Sequence, residues 1–432
     1  MNRALALLMG AAAVGVPLVG QLPAARAFRA GGIPVIFKPV SANTVIAVQL
    51  YLRGGSPNLT PAQAGIERFI GAASTRGTVK YTREEFAART AATGAEITTR
   101  HTNDYSVIRL RAMGDHWESS WDLFVEAAVH PTFPDSEVSL VRQQLINSLR
   151  RREQFPDDVL SRVADSVFFA GHPYGIDPAG SVGALSALIR NDLQAWHRER
   201  MTKENLLLVV VGNLSQADLE AKVGRAFGGL PDRGGTALRP PALARGRSGV
   251  TIVPRSIPTN YVQGLFSAPS LDHPDYAAMR VAIEILSNRV FEEVRSKRNL
   301  AYRARAGLDD RRANTGLLYV STVQPETTLK VMRHEVERLQ TEPITPKRLG
   351  ETVNVFLTRY FLDQETNSDQ AQTLATYELL GGGWQRAATF LQRVRAVTPT
   401  DVQRVAREYI QNVSFTILGD STNIDLARLS SM

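Results

Sequence analysis

The sequence predicts an α+β protein built from two similar domains. Alternating apolar and polar residues predict strands, apolar residues at helical spacing predict helices grouped apart from them, and the pattern of the first half recurs in the second. The chain has 432 residues, of which 44% are apolar, so each half is long enough to bury its own core. We therefore expect two mostly antiparallel sheets, each packed with helices.

The repeat is visible in the order of the elements. Each half contains a strand, a helix, a pair of prolines and a second helix: 105–112, 117–129 and 137–153 in the first half, and 317–323, 327–339 and 347 onward in the second. Each half then ends in a helix followed by an apolar strand that closes on glycine. Duplication of one α+β unit is the economical explanation.

The strand around residue 48 indicates how the first sheet is covered. Ile46, Val48, Leu50 and Leu52 alternate with other residues and therefore share one face. Such alternation is typical of a sheet that helices cover on one face only. We expect that arrangement here.

Residues 1–27 have the features of an export signal. Arg3 supplies a positive charge, Ala4–Val19 is almost wholly apolar, and Ala25–Ala27 has the small-x-small pattern of a cleavage site. We expect cleavage after Ala27 and a location outside the cytoplasm, most simply the bacterial periplasm. A retained membrane anchor is the alternative. After cleavage no run of about 18 apolar residues remains, so no stable membrane span is expected.

A segment rich in glycine, proline and arginine, 228–248, has no hydrophobic period and is predicted to connect the domains. It separates an N-terminal domain, 28–227, from a C-terminal domain, 249–432. The chain has no cysteine, which excludes disulfides and thiolate chemistry. The net charge is +8, but the basic residues are scattered and no nucleic-acid motif is present. We expect no nucleic-acid partner.

Several segments, in order, resemble the pitrilysin/insulinase family of zinc metallopeptidases, including its mitochondrial processing peptidase branch: Gly65–Thr78, Gly94–Tyr105, His172–Gly175, Phe291–Tyr302 and Ala396–Val402. The resemblance covers essentially the whole chain after the leader. It implies two homologous domains that together form half of a clam-shell.

The zinc ligands of that family are missing. Its inverted motif H-x-x-E-H places two histidines and a general-base glutamate on one helix. The corresponding residues here are Arg68, Gly71 and Ala72, and Ser148 stands at the position of the third ligand. The resemblance therefore implies a degenerate zinc site, in which the permanent charge of Arg68 would repel Zn²⁺. The seven histidines offer no other motif, since no two are three to five residues apart. We expect no metal on this chain.

Two other features of the family are retained. Arg295 and Tyr302 stand where the second half of the family supplies an arginine–tyrosine pair that binds substrate and stabilises the transition state in the other half's zinc site. Thr98 and Thr99 lie in the segment that resembles the edge strand along which substrate binds. A guanidinium can hold a peptide carbonyl, and a phenol can donate to a developing oxyanion.

The expected function is therefore that of a non-catalytic, substrate-binding subunit of a heterodimeric peptidase. A homologous partner would carry the zinc, and peptides would be the substrates. The alternative is a binding or scaffold protein with no proteolytic role, as in the family's respiratory-complex subunits. An active peptidase with an unusual site is a third possibility.

Overall fold

The structure is a computed structural model that describes residues 24–243 and 248–420. The expected leader lies outside the described residues except for its last four, 24–27. The first strand begins at Arg26, so the expected cleavage point after Ala27 falls inside that strand. Both the leader and its cleavage remain predictions. Within the described ranges, no helix has the length and apolar character needed to cross a bilayer.

The first domain is built on a six-stranded sheet. Its strands are β1 Arg26–Ala30, β2 Ile33–Pro39, β3 Val45–Arg53, β4 Glu96–His101, β5 Tyr105–Met113 and β6 Leu206–Gly212. Their order is β1-β2-β6-β3-β5-β4, and every neighbouring pair is antiparallel except β2 and β6. β4 therefore lies at an edge, paired with β5 alone.

The helices of this domain connect and cover the strands. They are α1 Ile66–Ala73, α2 Arg83–Thr93, α3 Trp117–Val129, α4 Asp135–Arg152, α5 Pro156–Phe168, α6 Val182–Ala187, α7 Arg190–Arg200 and α8 Gln216–Phe227. Trp121 of α3 and Phe227 of α8 pack against the face of β3 that carries Val48. Removing these side chains from water is the main driving force for the layer.

The second domain repeats this plan with five strands: β7 Gly249–Pro254, β8 Asn260–Ser267, β9 Ala301–Leu308, β10 Thr315–Thr322 and β11 Ser414–Gly419. Its helices are α9 Tyr276–Val290, α10 Pro325–Thr341, α11 Pro346–Leu362, α12 Asn367–Leu380, α13 Arg386–Arg395 and α14 Pro399–Tyr409. The strand order β7-β11-β8-β10-β9 matches β2-β6-β3-β5-β4 strand for strand. This match confirms two homologous α+β domains.

The two domains exchange helices. α5, from the first domain, packs on β8 and β11 of the second sheet, and α12, from the second domain, packs on β3 and β6 of the first sheet. Hydrogen bonds join the exchanged parts. The side chain of Gln49 donates to the carbonyl of Ser368 over 2.8 Å, and that of Asn367 donates to the carbonyl of Val45 over 2.6 Å.

This exchange corrects the expectation of a sheet covered on one face. Ile46, Val48 and Leu50 do share a face and belong to one core cluster. The opposite face is buried as well, because α12 covers it, and Tyr51 there is 0% exposed. The sequence does not reveal this second interface, because Gln49 is a polar residue on that face. Its Oε1 accepts from the hydroxyl of Tyr51, but its Nε2 finds a partner only on a helix more than 300 residues away.

The connector begins immediately after α8 and ends at β7. Its described part contains no helix or strand and lies against the first domain. Nη2 of Arg200, a residue only 1% exposed, donates to the carbonyl of Arg53 over 2.7 Å, while Nη1 donates to that of Gly235. The side chain of Asn58 holds the carbonyl of Thr236 at 2.9 Å.

Candidate functional site

α1 carries the positions where the family places its zinc motif, yet it needs no metal to form. Gly65 precedes it in the left-handed region, with φ of 86°. Ile66, Phe69 and Ala73 recur at helical spacing and are buried, with Phe69 fully inaccessible. These side chains pack with Leu145 of α4 in one core cluster. The helix is therefore held by apolar packing.

Arg68 joins α1 to α4 at the centre of the degenerate site. Its Nη2 donates to the hydroxyl of Ser148 over 3.1 Å, and its Nη1 donates to the carbonyl of Ala179 over 3.2 Å. Burial lowers the pKa of Arg68, and the nearby charge of Arg152 lowers it further, but a guanidinium remains a cation in proteins. The structure thus brings together the residues at the first and third ligand positions as a donor–acceptor pair.

The other two positions offer no ligand either. Gly71 and Ala72 have no donor atoms, and a Cβ added at residue 71 would lie 2.5 Å from Nε2 of His101 and 2.8 Å from Oγ1 of Thr99. A cation, a hydroxyl and two positions without side-chain donors do not fit Zn²⁺. Among the residues that the structure describes, no group of three or more His, Asp or Glu side chains could hold a metal ion.

β4 lies beside α1 and forms the edge of the first sheet, where the substrate-binding strand was expected. Thr98 is exposed on the outer face, whereas Thr99 and His101 are half-buried and face α1 at Gly71. The two threonines therefore point to opposite faces of the strand. Thr99 is the one that lies next to the degenerate zinc site.

A buried hydrogen-bond chain beneath this strand was not expected from the sequence. Ser106 donates to Oε2 of Glu67, and its hydroxyl lies 2.8 Å from Nδ1 of His101. With the serine proton on the carboxylate, the hydroxyl oxygen of Ser106 can accept from Nδ1 of His101. Burial lowers the pKa of His101 to about 3, with a smaller contribution from the charge of Arg68. Burial raises the pKa of Glu67.

A cavity of about 70 Å³ lies next to this chain, lined mainly by apolar side chains. Three buried polar atoms in its lining residues have no hydrogen-bond partner among the described residues: Nε2 of His101, Oε1 of Glu67 and Nε1 of Trp196. The volume suits about two water molecules, the usual partners of such atoms. Glu67 and Ser106 have no shared motif, so only the fold could bring them together.

In the second domain Arg295 and Tyr302 lie together on the surface. The Cζ atom of Arg295 is 5.3 Å from the ring centre of Tyr302 and 5.3 Å from that of Phe291. Such cation–π contacts hold a guanidinium in place without using its hydrogens. Tyr302 is 76% exposed, and neither its hydroxyl nor the guanidinium makes a hydrogen bond to any described residue.

Three irregularities of the backbone lie in the segment that carries Arg295 and Tyr302. Phe291–Lys297 is a π-helical turn, a rare element that is frequent at functional sites. Asn299 then adopts φ of 50°, the left-handed turn that asparagine tolerates. Finally, β9 pairs with β10 through Arg303 and Ala301 but skips Tyr302. Tyr302 is therefore a β-bulge residue, and bulges redirect side chains near functional sites.

The carboxylates of Glu292 and Glu293, in the same helical turn as Arg295, are paired with other cations. Lys297 and Arg298 both bind Glu293 and together hold its pKa down at about 2. Lys297 also contacts Glu292 at 3.1 Å. No carboxylate among the described residues pairs with Arg295. Nor does any hydrogen bond, ion pair or ring contact between described residues join the Arg295–Tyr302 pair to Arg68 or Ser148, so the two clusters form separate sites.

Comparison with known proteins agrees with this geometry. The family description "Insulinase (Peptidase family M16)" matches residues 35–178, and "Peptidase M16 inactive domain" matches residues 187–356. The second match begins in the first domain and ends within α11.

Individual relatives are distant but cover most of the chain. An uncharacterized zinc protease of Mycobacterium tuberculosis is 24% identical over 390 residues, 88% of this chain and 89% of the relative. The mitochondrial-processing peptidase subunit beta of Blastocladiella emersonii is 20% identical, covering 90% and 86%. A crystal structure of a peptidase M16 inactive domain from Pseudomonas fluorescens superposes with a TM-score of 0.85 at 20% identity, covering 92% and 98%. The chain belongs to the pitrilysin/insulinase family of peptidases, peptidase family M16.

Proposed function

We propose that this chain is a non-catalytic, substrate-binding subunit of a heterodimeric zinc metallopeptidase that acts on peptides. It supplies Arg295 and Tyr302 to the zinc site of a homologous partner chain, which carries the metal that this chain does not bind. The assembly works outside the cytoplasm, most simply in the bacterial periplasm. Membership of a peptidase family and the lack of zinc ligands together support this division of labour.

The observation that carries the proposal is the presentation of Tyr302. The phenol of Tyr302 is 76% exposed, displaced by a bulge and stacked against Arg295, and it is not part of the buried core of its own domain. The same side chain is suited to donate a hydrogen bond to an oxyanion that develops on a substrate held by another chain. The guanidinium of Arg295, free of carboxylates among the described residues, is suited to hold a peptide carbonyl.

A scaffold without proteolytic role is the second candidate. Arg68 and the buried hydrogen-bond chain through Ser106 favour this second candidate, because their side chains at the degenerate zinc site are used for contacts within the protein. A scaffold, however, gives no reason for an exposed tyrosine beside an unpaired arginine. An active peptidase with its own unusual site is the weakest alternative, since the cation of Arg68 occupies the position of a metal ligand.

The test uses the assembled enzyme. The zinc-bearing partner is first identified by copurification from the native host, as a homologous chain with an intact H-x-x-E-H motif. Tyr302→Phe is expected to lower turnover by ~10²–10³, and Arg295→Ala chiefly to raise KM. Arg298→Ala removes an exposed charge in the same segment that is already paired with Glu293, and it should leave both constants near those of the unmodified enzyme.

Complex formation is measured beside the kinetics by size exclusion. Unchanged kinetics in Tyr302→Phe and Arg295→Ala, with intact complexes, would refute the proposal that this pair acts in the partner's zinc site. The scaffold function would then be favoured. Chelator-sensitive cleavage by this chain alone would instead favour an unusual active site.

A further inference from the structure

β9 carries two more arginines next to Tyr302. The bulge at Tyr302 changes the alternation of the strand, so that Ala301, Ala304 and Ala306 all lie in the core. Arg303 and Arg305 consequently lie on the opposite face and are exposed. Both guanidinium groups sit over the ring of Tyr319, with Cζ atoms 5.8 and 5.5 Å from its centre.

The charge of this surface is only partly balanced. The carboxylate of Asp157 accepts a hydrogen bond from the hydroxyl of Tyr319 over 2.5 Å and lies 4.0 Å from Arg303. Arg305 and Arg295 have no ion pair with any described carboxylate. Together with Tyr302, these arginines form an exposed basic surface, which we call the β9 arginine surface: Arg295, Arg303 and Arg305.

Part of the outer edge of β9 is already hydrogen-bonded to α9. The backbone amide of Ala306 donates to the hydroxyl of Ser287 over 3.2 Å, and the carbonyl of Leu308 accepts from Arg280 over 3.2 Å. Both partners belong to α9, which therefore occupies two of the backbone groups that an added strand would use at this end of β9. The exposed side chains of Arg303 and Arg305 are therefore the natural contacts for a ligand at this end of β9.

We propose that the β9 arginine surface selects acidic peptides, in particular extended segments with carboxylates on alternate residues. Residues i and i+2 of an extended chain lie about 7 Å apart on one face, which is the spacing of Arg303 and Arg305 on β9. A peptide aligned with the strand meets both guanidinium groups at once, while Arg295 and Tyr302 stay available for its backbone. This inference rests on the proposed function, because it names the substrate class of that site.

The inference is tested with the isolated full-length chain and fluorescent peptides, so it needs no partner. Two peptides of equal length differ only in having Glu-x-Glu or Gln-x-Gln at the centre. Exposed ion pairs contribute little individually, so the acidic peptide is expected to bind about 3- to 10-fold more tightly at low salt. The ratio should approach one at about 1 M salt, where the Debye length is ~3 Å.

Variants locate the effect. Arg303→Gln/Arg305→Gln should abolish the preference for the acidic peptide. Arg198→Gln/Arg225→Gln removes the same charge from exposed positions of the first domain and should preserve the preference. Equal affinity for both peptides, an equal loss in the two double variants, or no peptide binding at all would overturn the acidic preference.

The outcome is separable from that of the proposed function. A partner subunit with an acidic face would show itself differently: Arg303→Gln/Arg305→Gln would weaken assembly and leave the peptide preference unchanged, which also overturns the inference. The effect of Tyr302→Phe on the turnover of the assembled enzyme is measured separately and does not depend on either result. The subunit role therefore survives if acidic selection fails.

Discussion

Substituting Gly71 tests the arrangement of the degenerate site directly. A Cβ at this position would lie 2.5 Å from Nε2 of His101 and 2.8 Å from Oγ1 of Thr99, closer than such atoms approach in folded proteins. The imidazole is held from its other side, where Nδ1 lies 2.8 Å from the hydroxyl of Ser106, so it cannot turn away without losing that contact. Gly71→Ala should therefore force α1 and β4 apart or push the imidazole of His101 away from residue 71.

The magnitude follows from a comparison with a second helical glycine. Replacing glycine by alanine inside a helix stabilises it by roughly 0.5–1 kcal/mol, and this gain applies equally to Gly71 in α1 and Gly224 in α8. A Cβ at Gly224 meets nothing within 4 Å, whereas overpacking at Gly71 costs about 1–3 kcal/mol. The free energy of unfolding of Gly71→Ala should thus lie about 1–3 kcal/mol below that of Gly224→Ala.

Urea unfolding of the full chain, followed by circular dichroism and tryptophan fluorescence, measures the difference in midpoint. Adding His101→Ala opens the space above Gly71 and should remove most of the penalty in a double-mutant cycle. If Gly71→Ala and Gly224→Ala are equally stable, His101 does not lie over Gly71 as described. If the penalty is present, regaining a side chain at the general-base position of the family motif costs stability unless His101 changes as well.

Three further outcomes are expected. Elemental analysis of the dialysed chain should find no stoichiometric zinc, and one zinc per chain would contradict the site described here. NMR should show a neutral His101 from pH 8 to 5, because burial holds its pKa at about 3. In the unfolded chain the same ring binds a proton below about pH 6.5. The contribution of this group to the free energy of unfolding should therefore fall as the pH drops below that value. Tyr174→Phe removes a buried hydroxyl that donates to Asp104 and accepts from the amide of Ala313, so thermal denaturation should show a loss of ~1–3 kcal/mol. The control Tyr261→Phe, whose hydroxyl bonds to no described residue, should lose less.

Local patterns predicted the elements well, because helices and strands impose a period on their own sequence. Trp117–Val129 forms a helix with those bounds, and Tyr105 begins a strand as expected. The left-handed turn at Asn299 could also be foreseen from its residue type. Such features depend on neighbours along the chain, which the sequence displays directly.

Features that join distant segments could not be predicted in this way. The pair Arg68–Ser148 was expected only as two lost ligands, and the structure adds that one donates to the other. The chain Glu67–Ser106–His101 combines a helix and two strands, and no period links those residues. The bulge at Tyr302 depends on the register with β10 rather than on the residues of β9 alone.

The exchange of α5 and α12 between the domains determines when the protein can finish folding. During synthesis the first sheet emerges early, but the helix that covers one of its faces follows only after a separation of 319 residues between Gln49 and Ser368. Until then that apolar face remains open to wrong partners. Chaperones or prompt export in an unfolded state would protect it. If the gene is divided at the connector, each of the two encoded fragments should consequently be stable only when both are expressed in the same cell.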